Sequence, residues 1–253
     1  LLNRKKMAIL SVASLLLFSF LLGLKHATEP DHLAAVSTIV SERKSIWSAF
    51  LVGGLWGVGH TISLLIAGIL VIVLHFEIGP RMALALEFGV GLMLIALGSD
   101  ALIKAVRGGQ IHWHVHRHGG IVHVHPHTHD AANVHSSSQP LETQSHHGLK
   151  LSPRPLIVGM IHGLAGSGAL MLLILSTITS PVVGAIYILV FGIGSIGGMM
   201  LMSALIGLPF HFTAKRLGLA EWLLRGGAGL FSLGFGIFMV FDIGFTQELF
   251  MSR

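Results

Sequence analysis

Cysteine is absent from this chain of 253 residues, which excludes disulfide scaffolds, thiolate metal sites and cysteine nucleophiles. Charge is scarce as well. Asp, Glu, Lys and Arg make up 11% of the residues, where a soluble domain carries roughly 25%. What fills the chain instead is apolar: 53% of residues, with a mean hydropathy of +0.79. Each helical span of a bilayer needs about 20 such residues, so the length leaves room for roughly six spans and no large soluble domain. The net charge of +5 does not imply a nucleic-acid partner, because Lys and Arg in a membrane protein mark its cytoplasmic side. Seventeen histidines are the anomaly.

Long apolar stretches run at about 7 to 26, 46 to 74, 82 to 106, 155 to 179, 182 to 210 and 222 to 246. The expected class is therefore all-α: a multi-pass membrane protein of about six transmembrane helices in the inner (plasma) membrane. Arg4, Lys5 and Lys6 before the first run imitate a secretory signal, but no small-x-small cleavage site follows, so the run reads as a retained span. The chain begins at Leu1 rather than Met, which leaves room for an upstream piece. The links after the first, third and fifth spans, with Lys104 and Arg225 at the adjoining span ends, hold ten Lys and Arg, against five on the other side. This bias places both termini outside and the long third link in the cytoplasm.

The halves look alike. Gly23-Leu24-Lys25-His26 matches Gly159-Met160-Ile161-His162 at an offset of 136, and His75-Phe76 matches His211-Phe212 at the same offset. Gly89, Gly91 and Gly98 match Gly227, Gly229 and Gly236 at 138. Three helices per unit is an odd number, so such units are inverted relative to each other, as in many secondary transporters with a midplane site on broken helices. The expected organisation is a first three-helix repeat over 1–107, a His-rich cytoplasmic loop over 108–150 and a second repeat over 151–253.

The sharpest motif is His26-Ala-Thr-Glu-Pro-Asp31-His32. An acidic pair and two histidines beside lipid are costly unless they face a cavity, a partner or an ion. Apolar character resumes at Leu33 to Val40, so the motif lies inside a stretch too long for one straight crossing at 1.5 Å per residue. Pro30 supplies a break: it lacks an N–H and its ring clashes with the carbonyl of His26, which is thereby freed. Thr28 or Glu29 is then the N-cap, with Pro30 first in a new helix and Asp31 in its acidic first turn. A continuous helix would set His26 and His32 about 240° apart; only a break lets them converge.

Gly57-Val58-Gly59-His60-Thr61 stands midway along the second apolar run. Histidine at that depth needs a partner or a function, and the glycines admit a second helix. His26, Asp31, His32 and His60 together offer three nitrogens and an oxygen. Imidazole and carboxylate without thiolate suit Ni(II), Co(II) or Zn(II), not Cu(I), and the oxygens are too few for Mg or Ca. The second half keeps His162 but has Ser167 and Gly168 where Asp31 and His32 would repeat. It reads as a scaffold, with Gly163 to Gly168 allowing close packing. Glu87 and Arg225 stand near repeat-related positions and suggest an ion pair.

The third link holds eleven histidines. His112, His114, His116 and His118 alternate with other residues before Gly119-Gly120, and His123, His125, His127 and His129 do so after it. Alternation puts each set on one face of an extended strand, and Gly-Gly is a hairpin-turn signal. The pairing sets His116 opposite His123, His114 opposite His125 and His112 opposite His127. Pro126 weakens the ladder, so metal-dependent ordering of the tract is expected rather than a fixed hairpin.

At His26-x4-Asp31-His32-x-Ala-Ala and Gly57-x-Gly-His60-Thr61 the sequence resembles the nickel/cobalt transporter superfamily, including its urease-accessory and efflux-type members. The resemblance is specific over about 23 to 65. It implies that these two helices carry an ion-selectivity site. The acidic motifs in the C-terminal half of the family's eight-helix importers are missing here, so import is not implied, and a His-rich tract between helices resembles the efflux-type members.

The expected function is membrane transport of Ni(II) or Co(II) by alternating access, with the ion as cargo, no prosthetic group and no enzymatic activity. The expected partners are a divalent metal ion, the lipid bilayer and nickel-enzyme assembly factors. The alternative is a membrane-bound nickel buffer supplying urease or hydrogenase assembly, for which the third link would suffice. A desaturase-like di-iron enzyme needs several His boxes, and six histidines outside the link are too few.

Overall fold

The computed structural model describes residues 2–43, 45–74, 79–107, 112–118, 121–127, 152–163, 180–213, 218–247 and 249–250. The elements are α1 (Leu2–His26), α2 (Pro30–Val40), α3 (Ile46–Leu74), α4 (Pro80–Val106), β1 (His112–His118), β2 (Ile121–His127), α5 (Arg154–Gly163), α6 (Pro181–Thr213) and α7 (Gly218–Phe241). A π-helical turn, Asp242–Thr246, extends α7. Among the described residues four helices are long and apolar enough to cross a membrane, or five if α1 and α2 count as one bent span. The expectation was about six. Of the expected span at 155 to 179, the described part is α5, and 164–179 lie outside the described residues, as does His75.

Burial departs from that of a soluble protein at the surface. Large apolar side chains such as Ile62, Ile66, Ile193, Leu201, Phe231 and Phe238 are exposed, whereas Ser19, Ser63, Ser195, Ser203 and Ser232 are buried with four histidines. Lipid requires this arrangement: apolar surface has no reason to leave a hydrocarbon solvent, while small residues and interhelical hydrogen bonds hold helices together. The Ser19 hydroxyl donates to the Tyr187 carbonyl at 2.8 Å and the Ser195 hydroxyl to that of Gly23 at 3.3 Å, joining α1 to α6. The Ser232 hydroxyl and the Trp222 indole N–H donate to the carbonyls of Leu94 and Ala105 at 3.0 and 3.1 Å, joining α7 to α4. This is a membrane protein.

Four contacts define the bundle: α3 on α6, α4 on α7, α1 on α6 and α5 on α3. Glycine permits them. A Cβ on Gly23 would strike the Phe191 carbonyl, and one on Gly159 the Trp56 carbonyl. A Cβ on Gly91 would come within 3.3 Å of the Gly236 carbonyl and one on Gly98 within 2.7 Å of that of Gly229, so α4 and α7 run antiparallel. By the same reading α3 and α6 are antiparallel, α1 runs with α6, and α5 runs with α3. The short α2 packs against α4, α6 and α7.

Where α2, α4 and α5 meet at one end of the bundle, Lys104 lies 2.6 Å from Glu42 and 2.9 Å from Asp100, and Arg154 lies 2.7 Å from Asp100. These pairs are half-exposed, so each contributes little alone, but together they tie three elements. Arg225 pairs with Glu221 one turn away at 2.6 Å, which corrects the expected pairing with Glu87: an i,i+4 partner on its own helix is closer to hand. Residues 112–118 and 121–127 pair antiparallel, with His112 opposite His127, His114 opposite His125 and His116 opposite His123; the ladder runs through Pro126, opposite Trp113.

The close approach of α4 and α7 yields a paired prediction. Gly98→Ala places a methyl group against Leu233 and Gly229 and is expected to destabilise by about 1–3 kcal/mol through overpacking. Gly89→Ala, with nothing within 4 Å of its Cβ position, is expected to be neutral or up to about 1 kcal/mol stabilising through helix propensity. Thermal unfolding in detergent micelles separates them, and equal effects would contradict the packing described.

Candidate metal centre

The break between α1 and α2 builds the site. Pro30 is the first residue of α2, Glu29 is its N-cap with extended backbone, and α2 departs from α1 at 55°. The His26 carbonyl is not left free, as the sequence suggested; it accepts the Glu29 N–H at 3.1 Å in a tight turn. The bend brings His26 and His32 to a ring separation of 4.2 Å. His60 meets them from the midpoint of α3, with fourteen residues on either side, its Nε2 2.9 Å from the Nε2 of His26.

A fourth imidazole completes the cluster. His162, near the end of α5, stands with its Nε2 2.9 Å from Asp31 Oδ2 and its ring 4.1 Å from that of His32. The sequence had assigned this half of the molecule a scaffold role. The signal that pointed to His162 was its offset from His26; the missing counterparts of Asp31 and His32 hid its meaning. Gly159 and Gly163 admit it, lying on the backbone of α3 at Trp56 and His60. His26, His32, His60 and His162 are exposed by 3%, 1%, 1% and 0%.

Carboxylates set the tautomers, because an ionised carboxylate only accepts. His26 Nδ1–H donates to Glu29 Oε2 at 3.0 Å, His32 Nδ1–H to Asp31 Oδ1 at 3.0 Å, and His162 Nε2–H to Asp31 Oδ2. The His26 Nε2 lone pair then accepts from His60 Nε2–H. Lone pairs remain on His32 Nε2, His162 Nδ1 and His60 Nδ1, all buried and all without a hydrogen-bond partner among the described residues. A buried lone pair that gives up water for nothing is costly, and a divalent cation is a partner that would satisfy several at once. Carboxylates behind imidazoles also orient the rings and raise their basicity as ligands.

Two sets of ligand atoms lie mutually within 4.8 Å: those of His26, His32 and His60, and those of Asp31, His32 and His162. Trp56 and Phe191 wall the cluster, Trp56 with its ring 5.4 Å from His32 and 5.5 Å from His162, Phe191 5.5 Å from His26. The four residues expected at the membrane site, His26, Asp31, His32 and His60, are thus brought together. The loop residues His112, His114, His116, His118, His123, His125 and His127 lie in the hairpin, whose side chains lie outside the described residues, as does His129. His211 ends α6 beside Phe212, in its last turn.

No protein-family profile matches the chain, and no solved structure matches it. The urease accessory protein UreH of Bacillus sp. (strain TB-90) is 36% identical over 237 residues, covering 94% of this chain and 95% of that protein. Two chloroplast proteins of Arabidopsis thaliana, FOR GROWTH AND FERTILITY 2 and 1, are 25% and 24% identical over 240 residues. The chain spans 57% and 60% of their lengths.

Replacing Pro30 tests the geometry without removing a candidate ligand. Pro30→Ala restores the missing N–H and allows α1 to run on into α2, carrying His26 to a different face from His32. Divalent-metal affinity is expected to fall at least about tenfold, at the lower end of what mis-oriented ligands cost. Unchanged affinity for Ni(II) in the purified variant would show that the break does not set the cluster.

Proposed function

This chain belongs to the family of the urease accessory protein UreH, among the nickel/cobalt transporters, and we propose that it carries Ni(II) or Co(II) across the plasma membrane as a multi-pass protein working by alternating access. The observation that carries this reading is the buried cluster of His26, Asp31, His32 and His60, joined by His162, gathered at the midpoint of a membrane-length helix. Imidazole and carboxylate ligands without thiolate favour borderline first-row dications. The Asp31 and Glu29 carboxylates, part-buried beside the imidazoles, balance the ion's charge.

Alternating access needs two units that rock about the site. Counterparts under the repeat would be α1 and α5, α3 and α6, α4 and α7. Each of these pairs runs in opposite directions, and the contacts are reciprocal: α1 lies on α6 as α5 lies on α3, and Gly91 meets Gly236 as Gly98 meets Gly229. This supports a 3+3 inverted repeat over 1–107 and 151–253 with the His-rich segment 108–150 between them. In this reading the hairpin is a cytoplasmic collector, whose facing pairs His112/His127, His114/His125 and His116/His123, with His118 and His129, raise the local concentration of metal near the bundle.

The name of the Bacillus relative favours a second reading, in which the chain is a membrane-bound buffer that hands nickel to urease or hydrogenase assembly factors. Radiolabelled nickel and cobalt flux, measured in both directions across vesicles, separates the two. His26→Ala, Asp31→Ala and His32→Ala are each expected to lower flux at least about tenfold with normal insertion. Deleting residues 110–148 should raise the half-saturating metal concentration and leave the maximal rate largely intact. Loss of the maximal rate on that deletion would favour the buffer, and normal flux in an inserted ligand variant would remove that residue from the site.

A further inference from the structure

We infer that the cluster is two successive metal positions sharing His32: a first of His26, His32 and His60, and a second of Asp31, His32 and His162, between which a single cation is handed during transport. This rests on the reading of the chain as a carrier of a divalent transition metal. It assigns His162, from the half of the chain without the acidic motif, a place on the ion's path.

The geometry divides the five residues in this way. Each triad brings its ligand atoms within 4.8 Å of one another, and among the described residues the five do not form one group at that reach. His32 lies between the others, its ring 4.2 Å from that of His26 and 4.1 Å from that of His162, while the rings of His60 and His162 are 6.4 Å apart. Buried lone pairs without partners occur on both sides: His60 Nδ1 in the first triad, His162 Nδ1 in the second, and His32 Nε2 in the residue they share. Were His162 only a structural partner of Asp31, its remaining nitrogen, on a side chain exposed by 0%, would have no reason to lack a partner among the described residues.

The positions differ in charge and in what they join. The first has three imidazoles, one each from α1, α2 and α3. The second has a carboxylate and two imidazoles, and joins α2 to α5. A dication is held more firmly beside the fixed anion, and while there it clasps α2 to α5 through Asp31, His32 and His162. Moving to the first position releases that clasp and leaves α5 free to part from α2. Two dications so close would repel each other strongly, so the positions are occupied in turn. Sharing His32 means that one ligand stays bound throughout, which spares the ion a fully dehydrated, uncoordinated step.

The test is equilibrium Ni(II) binding and vesicle flux on the full-length chain, with the eleven histidines of 108–150 replaced by Gln so that only the membrane site is read. His162→Gln retains an N–H donor toward Asp31 and similar volume. It is expected to keep one Ni(II) per chain with affinity within about tenfold of the parent, while flux falls more than about tenfold, since losses of that size attend altered metal surroundings. His26→Ala, which spares the second position, should likewise retain binding and lose flux. His32→Ala and the double variant His26→Ala with His162→Gln should lose binding altogether. If His162→Gln and His26→Ala each abolish binding as fully as His32→Ala, the five residues are one site and the two-position reading is overturned while the carrier reading stands. Normal flux in His162→Gln also overturns it. No binding by the parent overturns both.

Discussion

A missing N–H at position 30 is the constraint on which the rest depends. A helix six residues longer would be more regular, but it would turn His26 and His32 to different faces and leave a carboxylate in contact with lipid. Because Pro30 cannot continue α1, the chain turns at Ala27 to Glu29, α2 departs at 55°, and one imidazole from each helix arrives at the same point. The turn satisfies its own backbone, with the N–H groups of Thr28 and Glu29 bonded to the carbonyls of Lys25 and His26 at 2.9 and 3.1 Å. Irregular backbone at membrane depth survives where it lies against protein or a water-filled cavity; here His26 and Ala27 are buried against α3 and α6, while Thr28 and Pro30 are exposed.

That burial in turn requires close packing without bulky side chains at the contacts. Gly23, Gly159, Gly163 and Gly198 each stand where a methyl group would strike a neighbouring helix. The buried residues set small Ser and four His beside large apolar side chains such as Trp56, Tyr187, Phe191 and Leu94, while many other large apolar side chains turn outward. Dispersion and interhelical hydrogen bonds from Ser19, Ser195 and Ser232 hold the bundle together in the absence of a hydrophobic drive. Trp56 of α3 and Phe191 of α6 thus wall the proposed metal site beside the bend.

The local features of this design were legible in the sequence because their causes are local. Proline fixes the break, Glu29 and Asp31 mark the start of the new helix, and the position of His60 within an apolar run gives its depth. The register of the hairpin follows from Gly119-Gly120 and the alternation around it. His162 was not legible as a member of the cluster, since its approach to Asp31 spans 131 residues and depends on α5 lying along α3, a contact that no periodicity reports. The Glu87–Arg225 pairing failed for a related reason: repeat symmetry suggested it, while the nearer Glu221 on the same helix won. The spans at α3, α4, α6 and α7 were clear from hydropathy, because each holds a long run of apolar residues with few charges.

The central claim is that the broken helix gathers imidazoles and a carboxylate around a divalent metal ion. The most direct test is X-ray absorption at the nickel edge on the full-length chain carrying one Ni(II), with the histidines of 108–150 replaced by Gln. The account predicts a first shell of nitrogen and oxygen only, with the outer-shell scattering of at least two imidazoles, and its loss when His32 is replaced by Ala. A spectrum of a hydrated ion without imidazole scattering, or one unaltered by the loss of His32, would contradict it.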